Sequence, residues 1–371
     1  MIKKFVSYLI ILVFTFTILL TSSACNKTTS SQESIKQNNK DIQSKLIECM
    51  DDYFKKNQFN GTVLVAKDDD VLLNKAYGMA DYDNNIANTT HTVFSIGSIT
   101  KQFTATAILM LQENKLLSVQ DPLSKYISDY PNGDKIKIYN LLTHTSGIPE
   151  YLNFIESMEG GKHTYTPEKL IELFKNKSLN FDTGTSFEYC NSNYILLGYI
   201  IEKVSKMKYE DYIEKNIIKP LNLNKTGFLN SQPTITDKAI GYSSISANLN
   251  KYTKIFETES SLPYAAGGMY STDEDLYIWE NALYTGKLIN EKSLDEMFTP
   301  YLNNYGYGWC INKSNEDGNI IYHQGNISGY TSFIARNIDK KYLLIILSNK
   351  DNDSYAVNTI PMRLSKILEN K

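Results

Sequence analysis

One stretch constrains the fold of this chain more than any other. From Thr100 to Gln112 there is neither glycine nor proline, and Phe103, Ala107, Met110 and Leu111 recur at helical spacing with Ile108 and Leu109 beside them. A helix apolar around so much of its circumference must be covered on most sides, so other layers have to be built around it. At its amino end stand Phe94-Ser95-Ile96-Gly97-Ser98, and Lys101 follows Ser98 by three residues, on the same helical face. Two readings of that pair are open. In one, Ser98 is an N-cap and Lys101 a solvated first-turn lysine. In the other, burial or the positive helix end lowers the lysine pKa, and the amine takes the serine proton to make a nucleophile. Free N–H groups at the same helix end suit a developing oxyanion. Ser-x-x-Lys alone does not decide between them.

Around this helix the pattern divides the chain. A helix is predicted from Asp41 to Lys56, with Ile42, Leu46, Ile47, Met50 and Tyr53 facing inward. Gly61 to Ala66 and Val71 to Gly78 read as a hairpin of two strands. The middle is helical: Ile138 to His144, Pro167 to Lys175, Asn193 to Lys206, and Tyr209 to Ile218 ended by Pro220. Residues 228–265 show weak periodicity and read as loop-rich, and Asp273 to Leu283 and Asn290 to Met297 read as helices. Four late strands are predicted at Gly306 to Ile311, Ile320 to His323, Thr331 to Ala335 and Tyr342 to Leu347, then a helix from Asn358 to Leu368. Strands at both ends with helices between predict an α+β domain over residues 41–371. Its antiparallel sheet is assembled from both chain ends, flanked by helices, with a helical subdomain inserted.

The beginning of the chain reads as a targeting segment. Lys3 and Lys4 precede an apolar run from Phe5 to Leu20, and Thr21-Ser22-Ser23-Ala24 leads to Cys25. This resembles a bacterial lipoprotein signal over residues 1–24, with Cys25 as the lipid attachment site. Ser22 departs from the leucine-like residue usual there. Secretion without a lipid, or an uncleaved anchor, are the alternatives, and all three place the domain outside the cytoplasmic membrane. Polar residues 25–40 read as a flexible tether. A net charge of -3 and the lack of a basic stripe give no support to nucleic-acid binding. The four cysteines show no Cys-x-x-Cys spacing, and the four histidines no ligand spacing, so neither a disulfide framework nor a metal or other cofactor is expected.

Two further segments bear on Ser98 and Lys101. Tyr189-Cys190-Asn191 lies between two predicted helices, where a phenol can relay a proton and an amide can orient a lysine or a substrate carbonyl. By itself it also reads as a loop tyrosine and a helix N-cap. His323-Gln324-Gly325-Asn326 is placed at the end of the second late strand, where it reads either as the wall of a cleft or as a turn.

Taken in order, Ser98-Ile99-Thr100-Lys101, Tyr189-Cys190-Asn191 and His323-Gln324-Gly325 resemble the three motifs of the penicillin-recognising serine hydrolases. The branch is that of class C β-lactamases, D-Ala-D-Ala carboxypeptidases and related esterases and D-aminopeptidases. Leu141-Leu142-Thr143-His144-Thr145-Ser146-Gly147-Ile148-Pro149, Gly267-Gly268-Met269-Tyr270-Ser271-Thr272 and Tyr305-Gly306-Tyr307-Gly308-Trp309 are family-like phrases in the same order. The likeness spans about residues 45–370. It implies Ser98 as the acylated nucleophile, Lys101 as its proton acceptor, and Tyr189 as general base and acid. It also implies Asn191 orienting Lys101 and the substrate amide, and an oxyanion hole from the N–H groups of Ser98 and Asn326 beside Gly325. His323 would stand near the substrate carboxylate where many relatives carry lysine, and a neutral histidine there weakens the expectation of strong carboxylate recognition. The implied activity is hydrolysis of a small peptide, amide or ester, cell-wall D-amino-acid peptide among them. β-Lactam turnover, or a surface sensor that acylates without turnover, are the alternatives. A Ser-His-Asp hydrolase is disfavoured by the lack of a Gly-x-Ser-x-Gly elbow.

Overall fold

The structure is a computed structural model that describes residues 37–56, 59–68, 70–157, 165–230, 234–244, 252–255 and 261–369. The predicted signal segment, Cys25 and most of the predicted tether lie outside the described residues. Residues 37–40, predicted to end the tether, are instead the start of what is described of helix α1, residues 37–56. Among the described residues no helix is long and apolar enough to cross a membrane.

The sheet is built from both chain ends. Its six strands are β1 (Gly61–Lys67), β2 (Asp70–Tyr77), β3 (Cys310–Ser314), β4 (Gly318–Ile327), β5 (Tyr330–Asn337) and β6 (Tyr342–Ser348). They pair antiparallel in the order β3-β4-β5-β6-β1-β2. The first and last strands are therefore neighbours in the interior of the sheet, with Gly61 opposite Ser348 and Lys67 opposite Tyr342. Every residue of β6 is buried, as a strand covered on both faces must be. Alternation sorts the side chains between two cores. Leu64, Ala66, Ile334, Leu343, Ile345 and Leu347 face the helical region. Val63, Val65, Phe333, Leu344 and Ile346 face α1 and the last helix, contributing with Ile42, Leu46, Ile360 and Leu364 to the second core. Each fully buried Leu or Ile side chain contributes about 1.5–3 kcal/mol.

Helix α2 (Thr100–Glu113) runs beneath the inner face and is buried over nearly its whole length, as its composition predicts. Its polar residues consequently need partners inside the protein. Thr104 Oγ1 donates to the Ala265 carbonyl at 2.7 Å, and Trp279 Nε1 donates to Gln102 Oε1 at 3.3 Å. Phe103 stacks on Trp279 with centroids 3.9 Å apart. Helix α3 (Asn191–Ser205) crosses beside α2, and α4 (Asp273–Leu283) is pinned to the sheet by the ion pair of its fully buried Glu280 with the partly exposed Arg336 of β5. The chain ends in α5 (Ile360–Leu368), with Pro361 in its first turn.

Three expectations about local structure are corrected. Gly306–Trp309 is not strand; it is a loop that passes so close to the first turn of α2 that a Cβ on Gly308 would lie 2.9 Å from the Lys101 carbonyl, and strand begins only at Cys310. The strand holding His323 does not end there but runs on to Ile327. Gly325 marks a close backbone approach rather than a turn. Pro220 does not end the helix begun at Tyr209; a wider turn at Glu214–Ile218 intervenes and Lys219–Leu221 completes it, with Pro220 at the start of that last piece where its missing N–H is tolerated. The region 228–265 is irregular over most of its described residues, as expected, with a short pairing of Tyr242–Ser244 and Tyr252–Lys254; at its edge Gly227–Phe228 joins a small sheet with Phe94–Ser95 and Met269–Ser271. Cys49, Cys190 and Cys310 are free thiols.

Candidate active site

The site forms where the start of α2, the start of α3 and the far end of β4 meet. Gly97, at φ +49°, begins a single tight turn, Gly97–Ile99, that leads into α2. Ser98 makes no capping bond there, and Lys101 is wholly buried, so the reading of N-cap and solvated lysine does not describe them. The strand passes directly against this turn. A Cβ on Gly325 would sit 2.2 Å from the Ile96 carbonyl oxygen and 3.1 Å from Ser98 N, and one on Gly97 would sit 3.1 Å from Asn326 N. Ser332 of the next strand locks the junction by donating to the Ile96 carbonyl at 2.8 Å. Any side chain at position 325 would thus push the strand away from the serine.

Lys101 Nζ has three oxygen neighbours: Ser98 Oγ at 3.0 Å, Asn191 Oδ1 at 2.8 Å and the Ala266 carbonyl at 2.7 Å. Its pKa is lowered to about 7, chiefly by burial, with the charge of Glu150 opposing the fall. Two of the three neighbours, both carbonyl oxygens, can only accept. A neutral amine satisfies them with its two N–H bonds and is left with its lone pair toward the third, the one neighbour able to donate. The rings of Tyr189 and Tyr194 flank the amine, with centroids 4.9 Å and 5.4 Å away. Tyr189 is 38% exposed, but its phenol is desolvated where it approaches Ser98, and its pKa lies above the usual tyrosine value; the contact with Ser98 opposes that shift. Tyr189 is therefore a proton donor at neutral pH.

Asn191 is the first residue of α3, and it is not free to turn its amide. Its backbone N and its Nδ2 both donate to Glu150 Oε2, at 2.7 Å and 3.1 Å. That leaves Oδ1 for Lys101. His323 is buried and does not reach the cleft surface. Its Nδ1 lies 2.7 Å from the Gln324 carbonyl, which can only accept, so Nδ1 carries the proton and Nε2 accepts from the Tyr305 hydroxyl at 2.9 Å. Burial, then the Lys101 charge, lower its pKa to about 3. It is a neutral ring without a charge to offer a carboxylate. His144, at φ +57°, is also buried, its pKa pushed well down by burial, and accepts at Nδ1 from the Cys190 N–H at 3.2 Å. Its ring packs on Tyr189, with centroids 4.4 Å apart, and on Tyr305, 4.8 Å apart.

The cleft in front of Ser98 has a volume of about 330 Å³. Ser98, Asn191 and Asn326 line it, and Leu152, Leu229, Leu262, Pro263 and Ile327 give it an apolar wall. The structure thus brings together Ser98, Lys101, Tyr189, Asn191, Gly325 and Asn326, and sets His323 behind them. Sequence reasoning missed Glu150, which directly follows the Gly-Ile-Pro phrase, Tyr305, which opens another quoted phrase, and the Ala266 carbonyl, which no side chain encodes. Among the described residues no group of His, Cys, Asp or Glu is arranged to hold a metal ion.

Comparison with known proteins identifies the family and the fold. A family model described as Beta-lactamase matches residues 46–365. Penicillin-binding protein 4* of Bacillus subtilis (strain 168) is 32% identical over 338 residues, 86% of this chain and 74% of the relative. Among solved structures, the octameric penicillin-binding protein homologue from Pyrococcus abyssi has a TM-score of 0.77 at 30% identity, covering 88% of this chain and 77% of its own. The D-amino acid amidase from Ochrobactrum anthropi SV3 shares the fold, with a TM-score of 0.74 at 23% identity over 91% of this chain and 98% of its own. With its sheet closed by both chain ends, its Ser-x-x-Lys turn under the end of β4 and a family match over most of its length, the chain belongs to the beta-lactamase family of serine hydrolases.

Proposed function

We propose that this protein hydrolyses a peptide, amide or ester through an acyl-enzyme on Ser98. The observation that carries the reading is the environment of Lys101 Nζ, where two carbonyl acceptors direct the lone pair of the neutral amine at the serine hydroxyl. The proton of Ser98 passes to Nζ as Oγ bonds to the substrate carbonyl carbon. The oxyanion that forms lies between the N–H groups of Ser98 and Asn326, which Gly97 and Gly325 allow to approach. Collapse expels the leaving nitrogen or oxygen, which takes a proton from the Tyr189 phenol or the Lys101 ammonium. Water, losing its proton to the same pair, then attacks the ester on Ser98; the acyl–Oγ bond breaks, Oγ takes that proton back, and the acid is released. The neutral, internally bonded His323 supports a substrate whose binding does not depend on a carboxylate at that position. The apolar wall supports an apolar group on the acyl side.

The test is intact mass spectrometry of the protein with benzylpenicillin and, separately, with p-nitrophenyl acetate. One adduct on the peptide containing Ser98 is the expected result. Persistence of the penicilloyl adduct would indicate a peptidase or sensor, and its rapid loss with penicillin consumed a β-lactamase. An acetyl adduct alone would indicate an esterase or amidase that rejects the β-lactam carboxylate. No adduct and no hydrolysis with either compound would overturn the reading.

We also propose that the domain works outside the cytoplasmic membrane, tethered through a lipid on Cys25. The support is the charged, apolar and small-residue order of residues 1–24 before that cysteine. Cys25→Ser is expected to move the protein from the membrane fraction to the soluble one. Unchanged membrane association would assign anchoring to the Phe5–Leu20 segment instead.

A further inference from the structure

Glu150 lies outside the three motifs, yet it is held as firmly as any residue of the site. On its amino side the Pro149 carbonyl accepts from Ser192 Oγ at 2.7 Å, and on its other side Tyr151 N donates to the same oxygen at 2.8 Å. Ser146, at the start of this loop, donates to Asn193 Oδ1 at 2.6 Å. The loop is therefore stapled to the first turn of α3 at three points. From this position one carboxylate oxygen takes both the backbone N–H and the amide N–H of Asn191. The first bond satisfies a free donor at the helix start, where a negative charge is favoured. The second removes a degree of freedom that matters to Lys101. An Asn191 amide turned end for end would present an NH2 group to the amine in place of the carbonyl oxygen that now accepts from it.

We propose that Glu150 is a positioning residue for acylation, fixing the Asn191 amide so that its oxygen faces Lys101 and setting, through its charge, the pH range in which Lys101 activates Ser98. The proposal rests on the reading of Lys101 as the proton acceptor of Ser98. The groups that face Lys101 are Ser98, Asn191 and the Ala266 carbonyl, the rings of Tyr189 and Tyr194, and beyond them Cys190, His144 and His323. Burial pushes the Cys190 thiol up to about 12, and it holds the Tyr189 and Tyr194 phenols protonated and both imidazoles neutral. The charge of Glu150 is thus the one that opposes the desolvation of Lys101, and Tyr151, Cys190 and Tyr189 feel it too. By holding Lys101 partly protonated, Glu150 keeps the site from titrating lower still. It trades some neutral amine at acid pH for a fixed amide.

Glu150→Gln separates the two roles, because the glutamine carbonyl can still accept both Asn191 N–H groups while the charge is gone. The titration of Lys101 is followed by NMR of protein labelled with ¹³C at the lysine ε carbon, its signal assigned by its loss in Lys101→Arg. The expected result is a midpoint lower in Glu150→Gln than in wild type, by roughly one unit. The acid limb of kcat/KM for p-nitrophenyl acetate should move with it, each unit giving about tenfold more neutral amine on that limb. Glu150→Ala should lose about tenfold or more in kcat with KM little changed, since the amide is no longer held. Equal Lys101 midpoints in wild type and Glu150→Gln would overturn the proposal, and so would equal losses in Glu150→Gln and Glu150→Ala at every pH. Ser98→Ala run alongside distinguishes the two levels. If it hydrolyses the ester as wild type does, the acyl-enzyme reading itself fails; if it is inactive while Glu150→Gln leaves the titration unmoved, only the role of Glu150 fails.

Discussion

Ser98→Ala is expected to lower turnover by at least about 10³-fold and to abolish every covalent adduct. The fold should survive the change. The hydroxyl meets only the side chains of Lys101 and Tyr189 within the site and makes no capping bond to the turn that carries it. The loss would therefore be one of chemistry, with the thermal unfolding midpoint close to that of the parent. Ser95 and Ser328 also line the cleft and are the internal controls. Their alanine variants should acylate normally. Residual turnover in Ser98→Ala within tenfold of wild type would show that a different nucleophile, or water acting directly, does the work.

The second large effect concerns Lys101. Lys101→Met is expected to lower acylation by about 10²–10⁴-fold, the range for removing a positioned base. Lys101→Arg should fall as far, because a guanidinium stays protonated and has no lone pair to offer. In the wild type, kcat/KM should rise with pH through about 7 and then level off, following deprotonation of the buried amine. A flat profile from pH 5 to 9 would rule out Lys101 as the proton acceptor. Stability carries an independent signature. The folded-state pKa of Lys101 lies below that of an unfolded lysine, about 10.4. Between about 7 and that value the unfolded chain binds more protons than the folded one, so this group's contribution to stability rises with pH. Below about 7 the folded protein bears the full desolvation of the ammonium. The gain in stability from Lys101→Met should thus be largest at acid pH and should shrink as pH rises through that window. It is offset throughout by Asn191 Oδ1 and the Ala266 carbonyl, each left without its donor at a cost of about 1–3 kcal/mol.

Features governed by periodicity were legible in the sequence. The all-round apolar pattern of α2 required a central helix, and short apolar runs of Val, Leu and Ile toward both chain ends pointed to a sheet built from the two. Features governed by close backbone approach were not. The segment Tyr305-Gly306-Tyr307-Gly308-Trp309 has strand composition, yet it is a loop because Gly308 has to pass the Lys101 carbonyl. Gly325 looks like a strand terminator and is a contact point inside a strand. The pairs Phe94–Ser95 and Gly227–Phe228 are too short to show any period. At the site, each short motif by itself leaves a structural reading open, and only the resemblance of the three in order points to Ser98, Lys101, Tyr189, Asn191 and His323. Burial and bonding are properties of the folded chain, and only the structure reveals that His323 is turned inward onto Tyr305 and that Glu150 holds Asn191.

The pairing of Gly61 with Ser348 sets the order in which this protein can be made. During synthesis β1 and β2 emerge first, and β1 must wait for nearly the whole remaining chain before its second partner exists. Until β6 arrives, one side of β1 is an unpaired apolar edge, the kind of edge along which chains join one another. Closing a sheet over so long a loop is slow compared with forming the local helices between. A chain cut between Asn191 and Tyr342 keeps Ser98, Lys101 and Asn191 in sequence, yet it loses the strand that closes the sheet between β5 and β1 and can no longer hold them together. Proteolytic nicking near the carboxyl end should therefore silence the protein as surely as a change at the serine itself.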